Sequence, residues 1–412
     1  MNDMTPPAAD GAPLEFNPLD PAFIADPYPF YRRLREAAPV FKTPQGFWLI
    51  TRYEDAAFVL RDKRFGKDFV GNIERRYGDL ARMNEPAIAS LARTMLVLDP
   101  PDHTRLRGLV TKAFTARRVA DMRPRIKALV DEQLDRVIDK GQMDVMRDLA
   151  HRLPVIVICD MLGIPEEHRA PFLAGSNVNG RILEPVPMSR EELDQANLNT
   201  QMAGVYFKQL CDLRRREPKD DLTTELVRAE DAGDKLTAEE LEANIGLLFG
   251  AGHETTTNLI GNGLLALHRQ PDQWQRLKAD PSLIANAIEE LLRYDSSVQL
   301  TGRVTMAEVE IGGVTLPAHE AIVTLLGAAN RDPAHYEDPD RLDVGRQNVR
   351  PMSFGGGIHH CLGAQLARLE AELVFTALVE RLPGIELPEK DTPAWRRSFT
   401  LRGLTKLPAV WH

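Results

Sequence analysis

Strand-like segments stand at both ends of this sequence, and helical periodicity fills the middle. Residues 39–52 contain two short apolar runs separated by a Pro44-Gln45-Gly46 turn, and strand patterns return after Arg303. From about residue 103 to 295 apolar residues recur with the helical period, and the longest such segment runs from Thr237 to about Arg269. Because distant strands must pair to satisfy their backbones, the pattern predicts a mainly α fold with a smaller β region, α+β in class.

Composition limits the compartment and the partners. The chain has 412 residues and is 43% hydrophobic, enough for a large core, and we expect one domain over residues 16–412 after a flexible Pro- and Ala-rich tail at 1–15. The net charge of −9 argues against a nucleic-acid partner. Three cysteines do not suggest a disulfide framework, and neither a signal peptide nor a membrane-length apolar run is recognisable. We therefore expect a cytoplasmic monomer without membrane contact.

The most informative segment is glycine-rich and runs from Ser353 to Ala364, directly before a helix predicted at 362–382. It places Cys361 near a helix N-terminus, where backbone N–H groups and the helix dipole favour a thiolate. A thiolate is a nucleophile or a metal ligand, and a half-buried structural cysteine is the alternative. A zinc site with His359 and His360 is disfavoured, because adjacent ligands cannot converge on one tetrahedral ion.

The string Phe354-Gly355-x-Gly357-x-His359-x-Cys361-x-Gly363 resembles the haem-ligand signature of the cytochrome P450 family. The resemblance implies haem b (iron protoporphyrin IX) with Cys361 as the axial ligand of the iron. It also implies that Phe354 packs near the sulfur, that Gly355 belongs to the cofactor-binding residues and that backbone amides around Gly363 hydrogen-bond the sulfur. The implied fold is a triangular, helix-rich domain with haem between the long central helix and the helix after Cys361.

The long helix contains Gly250-Ala251-Gly252-His253-Glu254-Thr255-Thr256. Glycine in a helix interior costs about 0.5–1 kcal/mol, so a compensating role is expected. The segment resembles the family's oxygen-binding helix, in which a local distortion makes room for O2. That likeness implies that Glu254 supplies protons through water and that Thr255 donates a hydrogen bond during oxygen activation. Ordinary threonine bonding to the preceding turn is the alternative, and His253 is expected to pack.

Two further sets of residues match the family pattern. The resemblance implies that the haem propionates are held by His103, Arg107, Arg303 and His359; singly, each is as well explained as a surface charge. It also implies that Glu290 and Arg293 form a buried pair, joined by Arg341, that locks the cysteine loop. On spacing alone Glu290 and Arg293 would be a solvated helix pair, and the same spacing recurs at Glu166 and Arg169.

The family resemblance also locates a substrate pocket. It implies the segments 70–95 and 172–205 and a mainly apolar set of residues: Leu247, Gly250, Ala251, Val298, Gln299, Leu300, Phe399 and Thr400. Whether the charges of Arg75, Arg76, Arg181 and Glu184 face this pocket is left open. We therefore expect a monooxygenase that hydroxylates or epoxidises an apolar or amphipathic small molecule, using O2 and two electrons.

The electrons are expected from a separate protein. Residues 105–127 carry eight Lys or Arg and one acid, Asp121, a local basic patch in an acidic protein. A solvated helix face would explain the patch as well as a docking site for an acidic ferredoxin or flavodoxin served by an NAD(P)H reductase. A peroxide-driven haem-thiolate enzyme and a non-oxygenating sensor or electron carrier remain alternatives.

Overall fold

The computed structural model describes residues 16–173, 177–231 and 236–412. The predicted flexible tail, residues 1–15, lies outside the described residues. The α-helices are α1 Pro21–Ala25, α2 Tyr28–Ala37, α3 Tyr53–Arg61, α4 Phe69–Tyr77, α5 Pro86–Leu91, α6 Asp102–Ala113, α7 Ala116–Asp121, α8 Arg123–Asp135, α9 Arg152–Leu162, α10 Ala170–Leu173, α11 Arg190–Arg216, α12 Leu222–Asp231, α13 Ala238–Arg269, α14 Pro271–Ala279, α15 Ile284–Tyr294, α16 Leu326–Ala329 and α17 Ala364–Arg381.

The strands are short and lie mainly toward the two ends of the chain, as the sequence predicts. They are β1 Val40–Lys42, β2 Trp48–Ile50, β3 Phe65–Gly66, β4 Gln142–Asp144, β5 Leu300–Thr305, β6 Val309–Ile311, β7 Val314–Leu316, β8 Ala321–Leu325, β9 Ala394–Trp395, β10 Leu404–Lys406 and β11 Pro408–Val410.

Early and late strands share one mixed sheet of five strands, in the order β1-β2-β8-β5-β3. The central β2 and β8 are parallel, with Leu49 opposite Val323, and the other neighbouring strands are antiparallel. A separate hairpin joins β6 to β7 through Gly312 and Gly313, whose φ angles of 54° and 81° suit a two-residue hairpin turn.

By its internal contacts the chain divides into two compact units. The first comprises residues up to Gly66, Asn258–Cys361 and Leu378–His412, and the second comprises Lys67–Thr257 and Leu362–Ala377. Helices α13 and α17 each contribute residues to both. The expectation of a single domain over residues 16–412 stays a prediction.

Each unit has its own apolar core. In the first, the rings of Phe16, Phe23 and Phe399 meet at centroid distances of 5.1–6.1 Å beside the sheet. In the second, α9 is buried on nearly every face, and Ile73, Ile88 and Leu193 form a smaller cluster with their neighbours. Across the described parts of the chain, none of the helices is both long enough and apolar enough to traverse a bilayer.

Candidate functional site

Burial separates Cys361 from the other two cysteines. Its side chain is exposed, whereas Cys159 and Cys211 are 0% and 1% exposed. Burial raises the pKa of each of these two thiols to about 12, because a thiolate there would lose its hydration. Cys361 is therefore the cysteine whose sulfur is accessible to a ligand.

The loop before Cys361 is closed by its own backbone. A single helical turn, Met352–Phe354, is followed by Gly355, whose N–H donates to the Met352 carbonyl at 2.7 Å. The Cys361 N–H donates to the Phe354 carbonyl at 2.9 Å, so the end of the loop is bonded back to its beginning.

Two glycines of this loop are required by its geometry. Gly355 has φ 67° and ψ −151°, a conformation essentially restricted to glycine. Gly357 has φ 63°, and a Cβ atom there would lie 2.1 Å from the Leu60 carbonyl oxygen. The group that this backbone approaches closely within the protein is therefore the chain at the end of α3.

Helix α17 begins at Ala364, two residues later than predicted, since residues 362 and 363 form a turn. The Ala367 N–H donates to the Gly363 carbonyl at 3.0 Å, so Gly363 is the N-cap. Cys361 thus lies two residues before the cap, ahead of the positive end of the helix.

Glu290 and Arg293 form a pair that is 0% exposed on both sides. Arg293 donates to both carboxylate oxygens, at 2.7 and 2.8 Å, and to the carbonyls of Asn330, Pro339 and Arg341 at 3.1, 2.7 and 3.1 Å. The pair therefore binds the backbone of the segment before the cysteine loop, and the solvated-pair alternative is wrong.

The prediction that the Arg341 side chain joins this pair is wrong. Arg341 takes part through its carbonyl, and its residue is exposed. The guanidinium that joins Glu290 belongs to Arg346, whose Nε donates to Oε1 at 3.1 Å. Arg346 lies in a loop, where no sequence spacing indicates which arginine turns inward. At the other occurrence of the spacing, Arg169 pairs with Asp160 at 2.7 Å.

Two of the four expected propionate ligands are buried cationic or potentially cationic side chains. His103 on α6 is 2% exposed and Arg303 on β5 is 4% exposed, which contradicts a surface-charge explanation for either. Arg303 Nη1 donates to the Thr301 hydroxyl at 3.3 Å and the Gly302 carbonyl at 2.9 Å. Arg107 and His359 are half-buried. Their role toward propionates stays a prediction.

One face of α13 combines an apolar strip with an acid. Leu247, Gly250, Ala251 and Glu254 follow the i, i+3, i+4, i+7 spacing of a single helix face. Gly250 and Ala251 are exposed, and a Cβ at residue 250 would meet nothing within 4 Å. The predicted pocket residues of this helix therefore lie together beside the predicted proton donor.

Helix α13 runs from Ala238 to Arg269 without a break, so the expected opening does not appear as an interruption. The Thr255 hydroxyl donates to the Ala251 carbonyl at 3.2 Å, which is the ordinary bonding to the preceding turn. This bond directs the Thr255 oxygen toward the strip at Ala251. His253 packs as expected, with Nδ1 2.9 Å from the Phe249 carbonyl and its ring near that of Phe249.

The predicted pocket residues outside α13 lie in the packed interior of the first unit or at its edge. Phe399 is 2% exposed and belongs to the aromatic core, and Leu300 is in the same cluster. The Gln299 side chain accepts a hydrogen bond from the Tyr31 hydroxyl at 3.0 Å and donates to the Ser296 carbonyl at 2.7 Å. All three of these side chains are buried, and their role in lining a pocket stays a prediction. Val298 is half-buried and Thr400 is buried.

Among the charges of the two segments predicted to border the pocket, 70–95 and 172–205 (the lid segments), Arg76 joins one segment to the other. Arg76 on α4 donates to the carbonyls of Arg181, Ile182 and Val186 at 3.4, 2.7 and 2.9 Å. Arg75 contacts Asp68, and Arg181 donates to Glu192 at 3.1 Å. Part of the predicted segment, residues 174–176, lies outside the described residues.

Most cations of the predicted basic patch have acidic partners. At least six of the eight form ion pairs within 4.0 Å: Arg105 with Asp102 and Glu240, Arg117 with Asp121, Arg118 with Asp220, Arg123 with Glu372, Arg125 with Asp160, and Lys127 with Asp131. The sequence count therefore overstates the local positive charge, since Glu240, Asp220, Glu372 and Asp160 reach the patch from distant parts of the chain.

A metal cluster built from side chains is not present in the described ranges. No group of three or more His, Cys, Asp or Glu residues there is arranged to hold an ion. The zinc alternative has no support, and an exposed cysteine on a rigid loop fits a metal that arrives with its other ligands already in place.

The Cytochrome P450 family model matches residues 38–402. The chain belongs to this family. It is 45% identical over 400 residues to cytochrome P450 107B1 of Saccharopolyspora erythraea, covering 95% of this chain and 96% of that protein. It is 42% identical over 395 residues to the vitamin D(3) 25-hydroxylase of Pseudonocardia autotrophica, with 94% of each covered.

Among solved structures, P450BioI in complex with an acyl carrier protein carrying hexadec-9Z-enoic acid superposes with a TM-score of 0.88 at 37% identity. The match covers 95% of this chain and 100% of that one. The predicted family, the mainly α fold class and the oxygen-incorporating class of oxidoreductase are confirmed. Cytochromes P450 bind haem b, so the predicted cofactor is confirmed as well.

The residues of this P450 fit that cofactor. The exposed thiol of Cys361 is a suitable axial donor, and Gly355 and Gly357, with positive φ angles, place no side chain at their own positions in the loop. The buried Arg303 and His103 can each supply positive charge or hydrogen bonds to carboxylates.

Proposed function

We propose that this cytochrome P450 hydroxylates or epoxidises an apolar or amphipathic small molecule, with Cys361 as the ligand of the haem iron. The observation that carries the proposal is the exposed thiol on a rigid glycine loop, in a chain whose other two thiols are buried. Haem bound through a thiolate would supply the chemistry that activates O2, because the sulfur donates electron density to the iron.

The chain's own residues have three tasks in this proposal. The strip of Leu247, Gly250 and Ala251 excludes water and holds the substrate against an apolar surface. Glu254, on the same face and half-buried, transfers protons from solvent water. Thr255, whose hydroxyl is hydrogen-bonded to the Ala251 carbonyl, orients the last proton donor in this transfer from solvent.

The substrate class rests on the pocket and on the relatives. Residues 247, 250 and 251 are apolar, and the lid charges are engaged with backbone carbonyls and acids. Relatives of this chain are named for vitamin D3 and for a fatty acid held on a carrier protein, both largely apolar. We propose a substrate of the same general character.

For the electron source we propose a ferredoxin or flavodoxin with its NAD(P)H reductase. Arg117 and Lys127 are 92% and 65% exposed, so the basic patch still presents cations on its outer side. Because at least six of the eight cations are paired, we expect the docking rate to depend on salt only weakly. The cytoplasmic location and the monomeric state also stay predictions.

The deciding experiment is a spectral binding screen of the purified holoprotein against apolar and amphipathic compounds. A shift of the haem iron from low to high spin would identify ligands, and product analysis with a reductase system would then show oxygen insertion. The carbon-monoxide complex of the reduced protein must show the band of thiolate ligation. Its absence, or turnover supported by peroxide alone and not by a reductase, would contradict the proposal.

A further inference from the structure

Asn330 is a fully buried amide that spans two parts of the first unit. It follows the short helix α16 and is 0% exposed. Its Oδ1 accepts from the Met352 N–H at 2.7 Å, and its Nδ2 donates to the hydroxyls of Ser296 and Ser353 at 3.0 and 2.9 Å. The amide thus uses its acceptor and both donor positions on the cysteine loop and on the segment after α15.

On one side Asn330 is bonded to the buried ion pair. Arg293 Nη1 donates to the Asn330 carbonyl at 3.1 Å. The hydroxyls of Ser296 and Ser353 both donate to the Leu292 carbonyl, at 3.0 and 2.6 Å. Helix α15 therefore holds Asn330 and its two hydroxyl partners in one orientation.

On the other side the bonds continue to Cys361. Met352, fixed by Asn330, begins the turn Met352–Phe354, and its carbonyl accepts from the Gly355 N–H at 2.7 Å. The last carbonyl of that turn, on Phe354, accepts from the Cys361 N–H at 2.9 Å. A connected path of hydrogen bonds and one helical turn leads from the Asn330 side chain to the Cys361 backbone.

We propose that Asn330 is a positioning residue for the Cys361 thiolate. The Glu290–Arg293 pair bonds to backbone carbonyls of residues 330, 339 and 341. The Asn330 side chain links this anchored segment to the loop at Met352 and Ser353, beside the direct bond from Ser353 to Leu292. Without the amide, the Met352 N–H and two hydroxyls lose a partner in a buried site, and the turn shifts to satisfy them. The inference rests on the proposed role of Cys361 as the iron ligand.

The test compares three variants of the holoprotein. Asn330→Ala removes the amide. Asn330→Asp keeps an oxygen where the Met352 N–H donates. Asn262→Ala is the matched control, because Asn262 is 1% exposed in the same unit and donates to the Arg402 carbonyl at 3.0 Å. Hydrogen exchange of residues 352–361 and the carbon-monoxide spectrum are measured for each at equal haem content.

We expect amide exchange in residues 352–361 to be about tenfold faster or more in Asn330→Ala, together with partial loss of the thiolate band. Asn330→Asp should restore most of both properties. Asn262→Ala should lower the unfolding midpoint while leaving the loop exchange and the band unchanged.

Equal loop exchange in Asn330→Ala and Asn262→Ala would overturn the proposal. If Asn330→Ala does not fold, Ser353→Ala decides in its place, since it removes one bond of the amide and should accelerate loop exchange to a smaller extent. A wild-type protein without the thiolate band would refute the role of Cys361, whereas the exchange comparison would still decide whether Asn330 holds the loop.

Discussion

Removing Arg293 should be among the most damaging single changes in the first unit. Its guanidinium is 0% exposed and makes two hydrogen bonds to Glu290 and three to backbone carbonyls. Arg293→Ala would leave the Glu290 carboxylate buried with Arg346 as its remaining cationic partner. Breaking a buried pair in this way costs about 3–5 kcal/mol, a large part of the roughly 5–15 kcal/mol that stabilises a folded protein.

The assay is urea unfolding of the variant beside a surface control. Arg32→Ala removes a pair with Asp340 in which the side chains are 52% and 43% exposed, and such pairs contribute about 0–1 kcal/mol. Arg293→Lys should be nearly as harmful as Arg293→Ala, because an ammonium cannot reproduce the forked contact with both carboxylate oxygens. If Arg293→Ala unfolds within about 1 kcal/mol of Arg32→Ala, the energetic role given to the buried pair is wrong.

Three further outcomes are expected. Burial raises the pKa of Glu370 in the folded state, so the buried carboxyl group costs more stability as the pH rises above the ordinary value of about 4.3. The urea midpoint of Glu370→Gln should therefore increase relative to that of the wild type as the pH is raised. The same pH dependence of the midpoint in both proteins would contradict this. Alkylation of haem-free native protein should label Cys361 and spare Cys159 and Cys211, as read by mass spectrometry. Thr255→Ala should consume electrons while forming about 10²-fold less product, and an unchanged ratio of product to electrons would argue against a proton-transfer role.

The cysteine loop contains the residues that could best be predicted from the sequence. The glycines and Cys361 could be interpreted directly, because positive φ angles and a thiol ahead of a helix are properties of single residue types at given positions. Glu290 and Arg293 were also identifiable, though only through family resemblance, since their spacing is common on exposed helices. The strip on α13 follows from helical periodicity alone.

The errors concern contacts between distant residues. Arg346 rather than Arg341 supplies the side chain on Glu290. The charge count of the basic patch was misleading because acids at Asp160, Glu372 and elsewhere neutralise it. A linear pattern specifies which side chains are charged or apolar, and it does not specify which of several equivalent residues turns inward.

The sequence by itself determined the order of strands and helices, the glycine conformations that the loop needs, and the one thiol that is set before a helix. These features depend on local backbone preferences and on periodicity, which a chain carries in every conformation. Tertiary structure alone decided that Cys159 and Cys211 are buried, that Arg346 completes the ion pair, and that Asn330 joins this pair to the cysteine loop. Burial and hydrogen-bond partnership arise only when segments hundreds of residues apart pack together and exclude water.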